Sequence, residues 1–312
     1  MNLYIVTTTI NSPTLATKRF AEIAEKRGFK MVVVGDLRTP HNEYFDLEEQ
    51  YSCFTYLHPE IQEKMYPKLS KTIGWKSIQR RNIGFVYAYK NGADVVATVD
   101  DDNIPYDDWG TNILVGKEVE IDLYDHQLPH KIFDPLSVTE HSNLWHRGYP
   151  IELVPEKNNI EYKGRVRREI LVQADFWDGD PDIDAICRLS NKPIVKFKPF
   201  DPFGCLGVAP FNSQNTFIAR KALPKYSVLP HIGRMDDIWA SYILQYYFPE
   251  SVIYNWATVY QARNEQDLVT NLENEVLGYR QTLNLINNLK NYRDYLPEAT
   301  LEFWKVYQQH FS

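Results

Sequence analysis

Three consecutive aspartates that directly follow an apolar segment are the residues of this 312-residue sequence best suited to chemistry. Asp100, Asp101 and Asp102 come after the run DVVATV at 94–99, whose composition predicts a fully buried strand. Mg²⁺ and Mn²⁺ prefer oxygen ligands, and they often take one or two carboxylates together with phosphate oxygens and water. We therefore predict a Mn²⁺ or Mg²⁺ ion in direct contact with Asp102, with Asp100 as the second metal contact or a ribose contact.

The alternative for these aspartates is a solvated acidic turn, since Asp-x-Asp spacing alone is common. An EF-hand loop is excluded because Ile104 and Pro105 occupy positions where that loop needs a ligand and then a glycine. The sequence has no glycine-rich Walker loop, no Gly-x-Ser-x-Gly segment and no His-Glu-x-x-His segment. P-loop, serine-hydrolase and zinc-peptidase chemistry therefore have no support.

A second acidic pair, Asp236 and Asp237, stands at the start of a predicted helix. Carboxylates at this place can accept hydrogen bonds from the free N–H groups of the first helical turn. One of them can instead act as a general base that removes a proton from a hydroxyl group. Both interpretations remain open from the sequence pattern.

Alternating strands and helices are predicted to position these side chains. Residues 3–6 and 31–34 read as strands, and the helix between them begins at Ser12-Pro13 and ends at Gly28. This order predicts a parallel pair with a right-handed crossover, and hence an α/β sheet. Ligands of such sheets bind beyond the carboxyl ends of the strands. Candidate nucleotide contacts at these ends are Thr7, Thr8 and Asp36.

The rest of the chain is predicted to hold one helix at about 70–90, an irregular middle at about 104–215, and a helix from Asp236. Apolar residues at helical spacing between 268 and 289 predict a further helix that packs against the rest of the protein. We therefore expect one α/β domain at 1–262 and a C-terminal helical extension at 263–312.

The net charge and composition limit the kinds of partner that the protein is expected to have. The net charge is −7 and the pI is about 5.7, which argues against nucleic acid as a partner. The three cysteines form neither a metal motif nor a disulfide framework, and no signal peptide or stretch of ~18 apolar residues is evident. We expect a cytoplasmic protein without a transmembrane segment, for which peripheral association with a membrane stays open.

Several segments, in the same order, resemble those of the plant STELLO glycosyltransferase-like proteins: RNIGF at 81–85, TVDDDN at 98–103, LWHRGYP at 144–150 and PFNSQNT at 210–216. The segments GRMDDIWA at 233–240 and DIDA at 182–185 are also similar to the reversibly glycosylated polypeptides, which are UDP-arabinopyranose mutases. The resemblance spans residues 1 to about 250. It implies a GT-A-like fold, that is, a Rossmann-like nucleotide-sugar-binding domain.

This resemblance implies a metal-dependent glycosyltransferase, with Mn²⁺ as the expected ion. The enzyme would move a sugar from a nucleoside-diphosphate sugar, expected to be a UDP-sugar, to a hydroxyl group of a glycan, a lipid-linked compound or a protein. Asp237 is shared with both resembling groups and is preferred over Asp236 as the catalytic base, which implies inversion at the anomeric carbon. The expected donor contacts are Thr7, Thr8, Asp36, Arg81, Asn82, Asp100, Asp101, Asn212 and Gln214.

Three alternatives accompany this reading. The mutases carry an arginine shortly after their Gly-Tyr-Pro segment, where this chain has Val154, so a mutase is disfavoured. A non-catalytic protein that retains the fold and organises other transferases is the second alternative. A two-metal phosphatase or nuclease is the third, because it would use the same carboxylates.

Overall fold

A computed structural model of the chain describes residues 1–127, 130–191, 193–263 and 266–311. These residues form one mixed sheet of eleven strands, which confirms the predicted α/β class. The strands are β1 (Leu3–Thr9), β2 (Lys30–Gly35), β3 (Phe54–Leu57), β4 (Val95–Val99), β5 (Asn103–Pro105), β6 (Glu118–His126), β7 (Ile160–Glu169), β8 (Val172–Gly179), β9 (Phe203–Cys205), β10 (Asn215–Ala219) and β11 (Val252–Gln261). Their order across the sheet is β3-β2-β1-β4-β10-β8-β11-β9-β6-β7, and β5 pairs with β11.

The N-terminal part of the sheet is parallel: β3, β2, β1 and β4 lie side by side and run in one direction. Helix α1 (Leu15–Arg27) connects β1 to β2 and ends at Gly28, which adopts a φ of 70°. Its cap is Thr14, whose hydroxyl accepts from the N–H of Thr17 at 3.1 Å. The predicted start at Ser12-Pro13 is therefore two residues early, because Ser12 donates instead to Glu43 of α2 (His41–Gln50).

The single helix predicted at about 70–90 is wrong, because the chain breaks there. After α3 (Pro59–Met65) and α4 (Pro67–Ile73), Gly74 and Lys76 adopt φ values of 78° and 58°. Such left-handed conformations end a helix. One 3₁₀ turn (Ile78–Arg80) then leads into α5 (Arg81–Lys90). The break places residues 76–79 at the edge of the sheet where the candidate site lies.

The C-terminal part of the sheet brings further segments to that same edge. Strand β10 is antiparallel to both β4 and β8, while β11 is parallel to β8. Consequently β1, β4, β8 and β11 end where β10 begins. Helix α6 (Ala185–Ser190) follows β8, and α7 (Asp236–Tyr247) begins at the second acidic pair as predicted.

Helices α8 (Leu268–Asn287) and α9 (Glu298–Gln308) form the C-terminal part of the chain and pack on the sheet domain. The buried residues of α8 include Glu275, Gly278 and Thr282, whereas most of the predicted apolar stripe is only half-buried. Glu275 is buried because it pairs with Arg234. Among the described residues, no helix is long and apolar enough to span a membrane.

Candidate active site

Two adjoining cavities lie at the shared edge of the sheet. The first has a volume of about 290 Å³ and the second about 450 Å³. Lys76, Ser77 and Ile78 line both of them, so this segment forms their common wall. The other residues of the first cavity are Thr8, Thr9, Ile10, Asn11, Asp36, Arg38 and Asp101. Those of the second are Gln79, Asp100, Asp102, Arg147, Ser213, Gln214, Gly233, Arg234, Asp236, Asp237, Gln261, Arg263, Gln266 and Asn274.

The three consecutive aspartates are divided between the cavities. Asp101 faces the first cavity, where its carboxylate accepts hydrogen bonds from Thr9 and, at 3.0 Å, from Asn11. Asp100 and Asp102 face the second cavity. The strand–turn geometry after β4 thus lets one short acidic segment contribute to both cavities.

Asp102 is the carboxylate best suited to bind a cation. Its Oδ1 atom is buried and accepts no hydrogen bond from any described residue. Burial, followed by the charges of Asp100 and Asp101, raises the pKa of Asp102 to about 7. A buried oxygen without a donor is stabilised by a cation. The residues present therefore fit a divalent ion at this position.

Asp100 is held by Arg81. The Arg81 guanidinium pairs with the Asp100 carboxylate and also donates to the carbonyl and hydroxyl oxygens of Ser213, at 2.8 and 2.9 Å. Burial raises the pKa of Asp100, and the Arg81 charge opposes that shift. No cluster of three or more metal-ligating side chains exists among the described residues. An ion at Asp100 and Asp102 would therefore complete its coordination with water and ligand oxygens.

The first cavity contains two of the predicted nucleotide contacts. Thr8 donates to the carbonyl oxygen of Val34 at 2.7 Å, which joins the ends of β1 and β2. Asp36 accepts from the N–H groups of Leu37 at 2.6 Å and Ser77 at 3.1 Å. The second of these bonds fastens the 74–77 segment to the end of β2.

Four predicted donor contacts do not line either cavity: Thr7, Arg81, Asn82 and Asn212. Asn82 is fully buried, donates to the carbonyl oxygens of Gln79 and Val228, and accepts from the N–H of Val228. Asn212 donates to Asp182 at 2.9 Å and accepts from the N–H of Gln214. Their amide groups are occupied within the protein, so these residues hold the site in shape. Gln214 itself does line the second cavity.

The two aspartates at the start of α7 are in different electrostatic environments. Asp237 accepts from Arg147 at 3.0 Å and from the N–H and hydroxyl of Ser213 at 2.9 and 3.0 Å. Burial raises its pKa, but the charge and hydrogen bonds of Arg147, together with the N–H of Ser213, lower it by more, so the net shift is downward. Asp236 accepts from Gln79 at 2.8 Å, and burial together with the Asp237 charge raises its pKa to about 7.

Arg147 connects Asp237, which lines the second cavity, to the loop after β8. Its guanidinium donates to both carboxylate oxygens of Asp182, at 2.8 and 2.9 Å, as well as to Asp237. All three side chains are buried. A buried guanidinium shared by two carboxylates is a rigid support, because removing any member leaves an uncompensated charge.

Sequence reasoning missed Lys76, Gln79 and Arg263 as cavity residues. Lys76 and Gln79 fall inside the single helix that the sequence predicts at about 70–90, whereas the break between α4 and α5 brings both residues to the cavities. Arg263 follows β11, which runs parallel to β8 and ends at the same edge of the sheet. Because ligands bind beyond such strand ends, the position after β11 is the signal that could have identified Arg263 as a cavity residue.

Comparisons with known proteins agree with the motif resemblance. The chain is 26% identical over 207 residues to the probable glycosyltransferase STELLO2 of Arabidopsis thaliana, covering 64% of this chain and 26% of that protein. It is 27% identical over 230 residues to the probable glycosyltransferase STELLO1 of the same plant, covering 68% of this chain and 29% of that protein. The chain thus spans between a quarter and a third of the length of these relatives. No family model matches the chain.

A search of solved structures found the mannosyltransferase PcManGT from Pyrobaculum calidifontis in complex with GDP-Man and Mn²⁺. The TM-score is 0.40 at 11% identity, with 96% of this chain and 73% of that chain covered. A similarity of this size does not by itself establish a common fold. The sequence comparison is more informative, and it confirms that the chain resembles the STELLO glycosyltransferases.

Proposed function

We propose that the protein is a metal-dependent glycosyltransferase with a GT-A-like fold, which moves a sugar from a nucleoside-diphosphate sugar to a hydroxyl acceptor. The observation that carries this proposal is the position of Asp102. Asp102, which has a buried oxygen without a hydrogen-bond donor among the described residues, lines the second cavity, while Asp101, one residue earlier, lines the first. A diphosphate placed between a nucleoside in the first cavity and a sugar in the second would pass this carboxylate.

Asp102 and Asp100 would hold the metal, Mn²⁺ or Mg²⁺. When bound, the ion neutralises the charge that develops on the departing diphosphate. The surrounding protein keeps these carboxylates in place: Arg81 orients Asp100, and the carbonyl oxygen of Asp102 accepts from the N–H of Ala262 at 3.1 Å. The nucleoside would contact Thr8 and Asp36, at the ends of β1 and β2.

For the catalytic base, we propose Asp236 in place of the sequence-based preference for Asp237. A general base works best when its pKa lies near the working pH. Asp236 meets this condition, with a pKa of about 7, and it accepts from neutral donors, the Gln79 amide at 2.8 Å and the N–H of Asp237 at 3.0 Å. Asp237 has a lowered pKa, and its carboxylate is paired with the charged guanidinium of Arg147. With Asp236 as the base, the reaction would invert the configuration at the anomeric carbon.

The similarity to the STELLO proteins supports this assignment, since both relatives are named as probable glycosyltransferases. The donor proposed first is a UDP-sugar. The acceptor would be a hydroxyl of a glycan, a lipid-linked compound or a protein, and we propose that the reaction takes place in the cytoplasm. The absence of an arginine at Val154 continues to disfavour mutase chemistry.

Product analysis tests the proposal. The protein is incubated with UDP- and GDP-sugars and Mn²⁺, with and without a mixture of hydroxyl acceptors, and the products are separated by chromatography. A glycosyltransferase releases nucleoside diphosphate faster when acceptor is present. Interconversion of sugar ring forms without acceptor would instead support a mutase, and phosphate release from simple esters would support a phosphatase. No turnover together with no nucleotide binding would favour the non-catalytic alternative.

A further inference from the structure

Two arginines from distant segments line the second cavity on the side of the C-terminal extension. Arg263 follows β11, and Arg234 belongs to the 3₁₀ turn Gly233–Met235 that precedes α7. Gln266 and Asn274 line the cavity on the same side. Arg263 acts on Asp102 through its charge, but the roles proposed above for the cavity do not use the hydrogen-bond donors of this group.

Arg263 is the more unusual of the two arginines. Its side chain is only 6% exposed, and its Nε–H group has no hydrogen-bond partner among the described residues. Among the described residues it forms one ion pair, with Asp180 at 3.5 Å, and that same carboxylate oxygen already pairs with Arg188. It also donates to Gln261 at 3.3 Å. The charges of Asp182, Asp180 and Asp102 act on the guanidinium, but its buried Nε–H group lacks an acceptor within the described part of the chain, and that desolvation cost would be offset by an oxygen of a bound anion.

Arg234 is anchored but still has donors available. Its Nε–H donates to Glu275 of α8 at 2.8 Å, and its side chain is 25% exposed. The fully buried Glu275 therefore fixes the direction of the guanidinium towards the cavity. Burial lowers the pKa of Arg263, and the nearby charges of Arg188 and Arg234 lower it further, against the opposite effect of Asp182 and Asp180. Two guanidinium groups that repel each other are thus held on one cavity wall.

We infer that Arg263 and Arg234 form a binding subsite for a phosphoryl group. A phosphoryl group offers three oxygens that can accept from guanidinium groups arriving from different segments, and guanidinium–phosphate hydrogen bonds are strong and directional. The identity of the molecule that carries this phosphoryl group rests on the proposed function. In a glycosyltransferase, the phosphoryl group could belong to the diphosphate of the donor or to a phosphorylated acceptor. The chemistry of recognition is the same in both cases.

Isothermal titration calorimetry of the full chain with inorganic phosphate tests the subsite. We expect Arg263→Gln to weaken phosphate binding roughly 10- to 100-fold, as expected for a lost charge-assisted contact. The matched control is Arg167→Gln, which removes an exposed arginine of β7 and should leave phosphate binding unchanged. Absence of phosphate binding to the wild type, or equal binding by Arg263→Gln, would overturn the inference.

Arg263→Lys covers the case in which Arg263→Gln does not fold, as judged by circular dichroism. An ammonium group keeps the charge but loses the planar fork, so about tenfold weaker binding is expected, and wild-type affinity would overturn the inference.

A second titration uses protein saturated with nucleoside diphosphate and Mg²⁺. Phosphate binding that persists assigns the subsite to a phosphorylated acceptor, and competition assigns it to the donor diphosphate. If neither UDP nor GDP binds, the proposed function fails while the first titration still decides the subsite.

Discussion

The two cavities at the edge of the sheet differ in how they are built. The first is formed by the ends of β1 and β2, with residues 76–78 and Asp101 beside them, and its contacts are mostly ordinary hydrogen bonds. The second combines segments from six places along the chain and contains a buried network of arginines and aspartates. One cavity is thus a direct product of local strand–loop geometry, whereas the other depends on long-range charge pairing.

We interpret this difference as a division between nucleoside binding in the first cavity and chemistry in the second. A cavity formed mainly by strand ends and the loops beside them suits a nucleoside, which needs shape and a few hydrogen bonds. A cavity with fixed charges suits a step in which charge develops and a proton moves. Within the second cavity, the adjacent residues Asp236 and Asp237 differ from each other, because the pKa of the first is raised and that of the second is lowered. Changes in the second cavity should therefore affect turnover and stability more than changes in the first.

The largest effect is expected for Asp236→Asn. Loss of a general base should lower kcat roughly 10²- to 10⁴-fold, with little change in nucleotide binding. The base must be ionised, so kcat/KM of the wild type should rise with pH through about 7, and this dependence should disappear in the variant. Steady-state kinetics between pH 5.5 and 8.5, a range of about three units around that pKa, measures both. The control is Asp46→Asn on the exposed side of α2; an unchanged kcat in Asp236→Asn would return the role to Asp237.

A large stability effect is expected for Asp237→Asn. The change breaks one half of the buried pairing of Arg147, and we expect the free energy of unfolding to fall by about 3 kcal/mol in urea titrations. Asp236→Asn should lower the free energy of unfolding far less. The raised pKa of Asp236 favours its neutral carboxyl group, which an amide resembles. Equal losses in the two variants would contradict the different electrostatic environments assigned to these neighbours.

A smaller effect is expected at the wall that the cavities share. Lys76→Met removes an exposed ammonium group at the junction, and we expect about tenfold weaker binding of a nucleoside diphosphate. Binding of the nucleoside alone should stay nearly constant, and stability should change by less than about 0.5 kcal/mol because the side chain is exposed. Lys71→Met on α4 is the matched control. If Lys76→Met weakened the binding of the nucleoside and of the nucleoside diphosphate equally, the phosphates would not lie near Lys76.

The parts of the fold that were predicted correctly have local signals. The run at 94–99 is apolar and β-branched, so both β4 and the position of the aspartates after it could be read from the sequence. Gly28 ends α1, and α7 begins at Asp236, because glycine and acidic residues mark helix ends.

The parts that were not predicted depend on contacts between distant residues. Asn82 looked available for a ligand, but it is bound to Val228, which lies 146 positions further along the chain. The residues of α8 that are most buried include Glu275, which no apolar pattern could indicate, since its burial depends on Arg234. The break at 74–77 has one local signal, Gly74, which the prediction of a single helix did not use, whereas Lys76 carries no sequence signal for its positive φ.

Calorimetric titration of UDP and GDP, with and without Mn²⁺, tests the central claim most directly when wild type is compared with Asp102→Asn. The account predicts that one nucleotide binds the wild type much more tightly when Mn²⁺ is present, and that this dependence on the metal is lost in the variant. Asp46→Asn should behave like the wild type. Metal-dependent binding that persists in Asp102→Asn, or no binding of either nucleotide under any condition, would contradict the assignment of Asp102 as the metal-binding residue of a nucleotide-sugar site.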